Sequence, residues 1–176
     1  ALELFLHLPS GSVSDGVVNR SDDCFTFLDP NPRATVHLLV VPVRHDITSV
    51  ESLTRSDLPL LELMSTQAME ALELEVDARS LTVDDKGFDP ALARLGFYIP
   101  SKTSVPLLHL HALYPRSSAS HRRFRDSIFV SPSTVIAQLQ RSAEAASVEE
   151  ATPVEAGPPS TASAEVATSS HREAIQ

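Results

Sequence analysis

The sequence predicts an α+β domain: an antiparallel sheet of about five strands, one long helix packed on it and a C-terminal helix. Three observations carry this reading. Short β-rich runs bounded by turn residues recur at residues 16–19, 24–28, 37–42 and 96–100, and again in the apolar stretch 104–114. From Thr54 the apolar period turns helical, with Leu58, Leu61, Met64, Ala68, Ala71, Leu72 and Val76 at three- and four-residue spacing. Ser131-Pro132 then supplies an N-cap and a first-turn proline for a helix through Val135, Ile136 and Leu139.

Taken in order, Leu2, Leu4, Phe5, Leu6 and Leu8 fit a short buried helix or a strand equally well, and the run from Pro9 to Ser12 ends it. Residues 16–19 and 24–28 form a hairpin about a turn at 19–23. Asp29 follows, ahead of Pro30-Asn31-Pro32, where a carboxylate serves as a turn cap or as a binding group. His37-Leu38-Leu39-Val40-Val41 is continuously apolar after its histidine, as a central strand buried on both faces requires, and Pro42 closes it because it cannot donate to a ladder. Arg44 and His45 belong to an exposed turn. Thr54 or Ser56 caps the long helix, with Asp57 in its first turn and Met64 and Met69 filling core. Between residues 77 and 95, Leu81-Thr82-Val83 could be a short strand and 84–87 a surface turn. Residues 115–126 hold Arg116, His121, Arg122, Arg123 and Arg125, a basic patch that is either a solvated loop or a lid and phosphate contact. From residue 142 the composition collapses into Ala, Ser, Thr, Glu and Pro, so the domain is expected over 1–141 and a disordered tail over 142–176.

The chemistry concentrates in Ser104-Val105-Pro106-Leu107-Leu108-His109-Leu110-His111-Ala112-Leu113. Side chains two apart on a strand share a face. His109 and His111 should therefore point one way while Leu108, Leu110 and Ala112 point into core. Two hydrogen-bonded structural histidines would give the same pattern as a reactive pair.

With 176 residues, 42% of them hydrophobic, the chain can build one core. Its net charge of −9 and pI near 5.1 argue against nucleic acid as partner and leave any phosphate to local donors. One cysteine, Cys24, excludes an intramolecular disulfide or a multi-cysteine zinc site. No run approaches the roughly 20 apolar residues of a membrane span, and no signal-peptide pattern opens the sequence. The expectation is a cytoplasmic protein, with the nucleus as alternative.

Residues 24–45 and 104–113 together resemble the histidine-triad (HIT) family of nucleotide-binding proteins, nearest its Hint branch. The resemblance rests on Phe27-Leu28-Asp29, the proline turn, His37 opening the run that ends in Pro42 before His45, and Ser104-Val105 ahead of His109-Leu110-His111. It spans residues 4–139 and implies a HIT-like fold. Alignment on Ser104-Val105 puts Leu107 at the first triad position, His109 at the second and His111 at the third, so the first histidine is replaced. Gly96 stands where many Hint enzymes place an asparagine. Glu3 and Leu6 stand where some relatives have a zinc-binding cysteine pair. No metal and no cofactor are expected.

The resemblance further implies a purine nucleotide-binding hydrolase that releases AMP from phosphoramidate-type or adenylylated substrates. His109 would form a nucleotidyl-histidine. His111 and Ser104 would bond the phosphoryl oxygens, while Phe27, Asp29, His37 and Val105 line the nucleotide pocket, Asp29 accepting from the ribose hydroxyls. Leu107 would remove an imidazole that pairs with His37 behind the nucleophile, while leaving the carbonyl that orients it. The alternative is a catalytically weakened nucleotide-binding or scaffolding protein. A homodimer is expected.

Overall fold

The computed structural model describes residues 16–81, 87–99, 107–119, 122 and 124–150. Six antiparallel strands form its sheet: β1 (Val17–Arg20), β2 (Cys24–Leu28), β3 (Val36–Pro42), β4 (Arg94–Tyr98), β5 (Leu110–Tyr114) and β6 (Phe129–Val130), in the spatial order β1-β2-β3-β5-β4-β6. Two helices accompany it, α1 (Leu58–Ala78) and α2 (Pro132–Glu150). The α+β class and the antiparallel pairing are as the sequence predicts. The sixth strand, beyond the expected five, is two residues long, too short to show a period, and it pairs Phe97 with Val130 and Tyr98 with Phe129.

Alternation on the two central strands sorts the molecule into a core face and an open face. Val36, Leu38 and Val40 of β3, with Leu110, Ala112 and Tyr114 of β5, meet Leu61, Met64, Ala68 and Leu72 of α1 in one core. Truncating a member such as Leu61, which is fully buried, would cost about 2–5 kcal/mol. On the opposite face lie Phe25, Phe27, Leu39 and Val41 at one side and Leu113, Ala119, Phe124 and Phe129 at the other. His37 and His111 project from that second face.

The chain reaches α1 through a polar clamp. The buried Asp57 carboxylate accepts from the Thr54 amide and hydroxyl, both at 2.8 Å, and from Arg44 at 2.8 Å. Arg44, expected as a free surface residue, thus ties the β3–α1 connection to the helix start. Ser131 caps α2 by accepting from the Thr134 amide at 3.2 Å, as its sequence predicts. That helix continues to Glu150, past the expected boundary at residue 141, because Ala and Glu propagate helix readily. The tail over 151–176, the segment 1–15 and Leu81-Thr82-Val83 beyond Leu81 lie outside the described residues, as do Ser104, Val105, His121 and Arg123. Among the described residues no helix is long and apolar enough to cross a membrane.

Candidate active site

β3 and β5 pair in a register that sets Leu39 against His111 and His37 against Leu113. His37 and His111 are therefore diagonal neighbours on one face, close enough for their rings to meet. Nε2 of His37 and Nδ1 of His111 lie 2.8 Å apart. His109 precedes β5 instead of lying within it as expected, since Leu108 leaves the ladder and donates its amide to the Ile47 carbonyl at 3.0 Å. Its ring still shares the open face with His111, the two centroids being 4.9 Å apart.

Hydrogen bonding fixes which nitrogen of the His109 ring is free. Nδ1 of His109 faces the Leu107 carbonyl oxygen at 2.7 Å. A carbonyl can only accept, so Nδ1 carries the proton and Nε2 keeps its lone pair. The Arg33 amide donates to Nδ1 of His37 at 3.2 Å. While that bond is made, His37 donates from Nε2 to His111, whose own proton is then on Nε2, although the Asp29 carboxylate 3.3 Å from the same Nδ1 favours the opposite arrangement. Nε2 of His111 is buried and has no hydrogen-bond partner among the described residues. An unmade bond at such a site costs about 1–3 kcal/mol, and a substrate oxygen would satisfy it.

Burial lowers the pKa of all three imidazoles. His37 falls to about 4, partly opposed by the Asp29 carboxylate, and His111 falls well below its ordinary value through burial and its two histidine neighbours. His109 is lowered by burial, against the contrary pull of its bond to Leu107. All three rings are neutral at neutral pH. A neutral His109 is the form that can act as a nucleophile.

Asp29 is half-buried at the end of β2. One carboxylate oxygen accepts the Asn31 amide at 2.7 Å, the turn-capping role that its sequence context predicts, and the other lies 3.3 Å from Nδ1 of His37. Phe27 is buried among Phe25, Leu39 and Val41 on the same face. Asp29, His37 and His111 bring ligand-type atoms within 4.8 Å of one another, a grouping that could hold a metal ion. Both ring nitrogens of His37 and Nδ1 of His111 are however already hydrogen-bonded, to the Arg33 amide and to each other, whereas Nε2 of His111 has no such bond among the described residues. A metal bound through His37 would have to break one of its two bonds.

The expectation for Leu107 requires correction. Leu107 faces a niche of about 10 Å³, room for one water, lined by Thr48, Ser49, Val50, Phe97, Tyr98 and His109. His37 is not part of it. The ladder opposes His37 to Leu113, and the diagonal neighbour that its ring meets is His111. The imidazole that pairs with His37 is that of His111.

Sequence reasoning missed the aromatic wall behind this pair. Phe124 stands edge-on to His37 at 5.8 Å, Tyr98 edge-on to His111 at 4.8 Å, and Phe129 lies 6.0 Å from His111. Phe124 was hidden in the basic segment, whose Arg116, Arg122 and Arg125 are exposed. Gly96, paired with His111, explains the position of Phe129: a Cβ there would lie 2.3 Å from the ring. The aromatic ring fills the space over the glycine.

Residues 4–124 match the family described as scavenger mRNA decapping enzyme C-term binding. The chain is 31% identical to the adenosine 5′-monophosphoramidase HINT3 of Xenopus tropicalis over 131 residues, covering 72% of this chain and 78% of that protein. The HINT3 of Danio rerio is 30% identical over 128 residues, covering 71% and 73%. Among solved structures, the aprataxin ortholog Hnt3 from Schizosaccharomyces pombe shares the fold with a TM-score of 0.50 at 19% identity, covering 78% of this chain and 72% of that one. The matched span contains the Asp29 turn, His37 and both histidines of the 109–111 run, and the chain belongs to the histidine-triad family.

Proposed function

We propose that this protein is a nucleotide-binding hydrolase that releases AMP from phosphoramidate-type or adenylylated substrates through a nucleotidyl-histidine at His109. The observation that carries the reading is the 2.7 Å bond from His109 Nδ1 to the Leu107 carbonyl, which leaves Nε2 as a neutral, lone-pair-bearing nitrogen on the open face. Nε2 attacks the α-phosphorus, the bond from phosphorus to the leaving amine breaks, and the amine departs with a proton drawn from solvent, which the hydrolytic water gives back in the second step. Water then cleaves the phosphorus–nitrogen bond to His109, giving AMP and the free imidazole. His111 donates from Nε2 to a phosphoryl oxygen, where charge gathers during transfer.

Ser104 and Val105, through hydroxyl and backbone, complete the phosphate site in this reading, and Asp29 and Phe27 hold the nucleoside. The relatives named as adenosine 5′-monophosphoramidases support the leaving-group class. The test is AMP release from an adenosine phosphoramidate by the wild-type protein and by His111→Ala. The reading expects turnover in the first and a loss of roughly a hundredfold or more in the second. No release by the wild type would overturn it.

A two-fold dimer belongs to the same proposal. Part of the outer edge of β4 is already occupied by β6, so an intersubunit sheet has to use the remaining edge positions or the opposite edge at β1.

A further inference from the structure

Nδ1 of His37 has two neighbours with opposite demands. The Arg33 amide at 3.2 Å requires a lone pair there, whereas the Asp29 carboxylate at 3.3 Å requires a proton. The choice is transmitted. With Arg33 bonded, His37 carries its proton on Nε2 and gives it to His111 Nδ1 across the 2.8 Å contact, and His111 Nε2 is a donor. With Asp29 bonded, both protons sit on the Nδ1 atoms and His111 Nε2 becomes an acceptor. Both rings stay neutral in either state. Passing from the second to the first, one proton leaves His37 Nδ1, one crosses to His37 Nε2, and one enters at His111 Nε2.

We infer that Asp29 and the Arg33 amide form a tautomer selector, and that ribose hydroxyls, by occupying Asp29, commit His111 to donating toward the phosphoryl oxygen. The inference rests on the nucleotide reading given above. Its physical basis is that hydroxyl donors satisfy the carboxylate and remove its claim on His37, leaving the amide unopposed. Recognition of the sugar thereby prepares the phosphate end of the site without any movement of backbone. The buried Nε2 of His111, without a hydrogen-bond partner among the described residues, is where the result is felt. Asp29 and Arg33 are positioning residues in this scheme, acting through His37.

The experiment is side-chain nitrogen NMR on the full chain labelled with ¹⁵N-histidine, at neutral pH, free and with AMP or 2′,3′-dideoxy-AMP, with binding followed separately by calorimetry. The Nε2 signal of His111 should move toward the protonated type with AMP and stay near its free position with the dideoxy compound once bound. In Asp29→Asn, whose amide can donate where the carboxylate only accepts, the protonated form should prevail without any ligand. A shift that is equal for both nucleotides, or absent with bound AMP, overturns the coupling to ribose. An Asp29→Asn signal identical to wild type overturns the selector itself, and this arm needs no nucleotide. Calorimetry showing no AMP binding would instead overturn the nucleotide reading and with it the ribose coupling.

Discussion

Nδ1 of His109 bonds to the main-chain oxygen of Leu107 and not to any side chain. The orientation of the proposed nucleophile therefore survives any residue type at position 107 that keeps the local backbone. A histidine placed there would enter the niche bounded by Thr48, Ser49 and Tyr98, which His37 does not line, and His37 already bonds His111. We expect Leu107→His to change the single-turnover rate by less than about tenfold, with effects of Leu107→His and His37→Ala adding to within about 0.5 kcal/mol. Single-turnover decay of an adenosine phosphoramidate in the two single variants and the double variant measures this. A gain that vanishes with His37→Ala would show that the two positions communicate.

Stability should fall with acidity. In the folded protein His37 protonates only near pH 4, against an ordinary value of 6.5. Between these values the unfolded chain binds a proton that the folded chain refuses, so stability is full above about pH 6.5 and declines as pH drops toward 4, by at most about 3 kcal/mol from this residue. His109 and His111, also lowered, act in the same direction. Urea unfolding at about pH 7 and about pH 5 should show the loss, and His37→Gln should reduce its slope. An unchanged slope in that variant would mean that His37 does not drive the dependence.

Much of this architecture was legible because its signals are local. The alternation at 24–28, the apolar run after His37 and the change of period at Thr54 each depend on near neighbours, and each became the expected element. The pairing of His37 with His111 was not legible, since it depends on the register of β3 against β5, and the family pattern suggested position 107 instead. Nor were Phe124 and Phe129: a phenylalanine among arginines and one in a two-residue strand show no period. Gly96 read as a missing asparagine, yet its physical content is the ring packed over it.

That packing gives a stability prediction. Gly96→Ala places a methyl group 2.3–2.7 Å from three atoms of the Phe129 ring, so the ring or strand β4 must shift, at a cost of about 1–3 kcal/mol. Combining it with Phe129→Leu should recover part of the loss relative to the sum of the two single changes. Denaturant unfolding of the three variants decides this, and strict additivity would show that Phe129 is not the obstacle.

Assembly is checked by light scattering at micromolar concentration. The dimer predicts a species of twice the 19.0 kDa chain mass. A sample that stays at 19.0 kDa removes the dimer from the account.

The proposed hydrolysis runs through covalent chemistry at one nitrogen, Nε2 of His109. An adenosine phosphoramidate mixed with the protein and quenched within the first turnover should give released AMP together with an adenylylated chain, and mass spectrometry of its peptides should place the adduct on His109. In His109→Ala the adduct should vanish and turnover be lost, while AMP binding holds to within roughly tenfold, because the nucleophile contributes to the transition state more than to the ground state. An adduct on another residue, or full turnover in His109→Ala, would contradict the mechanism.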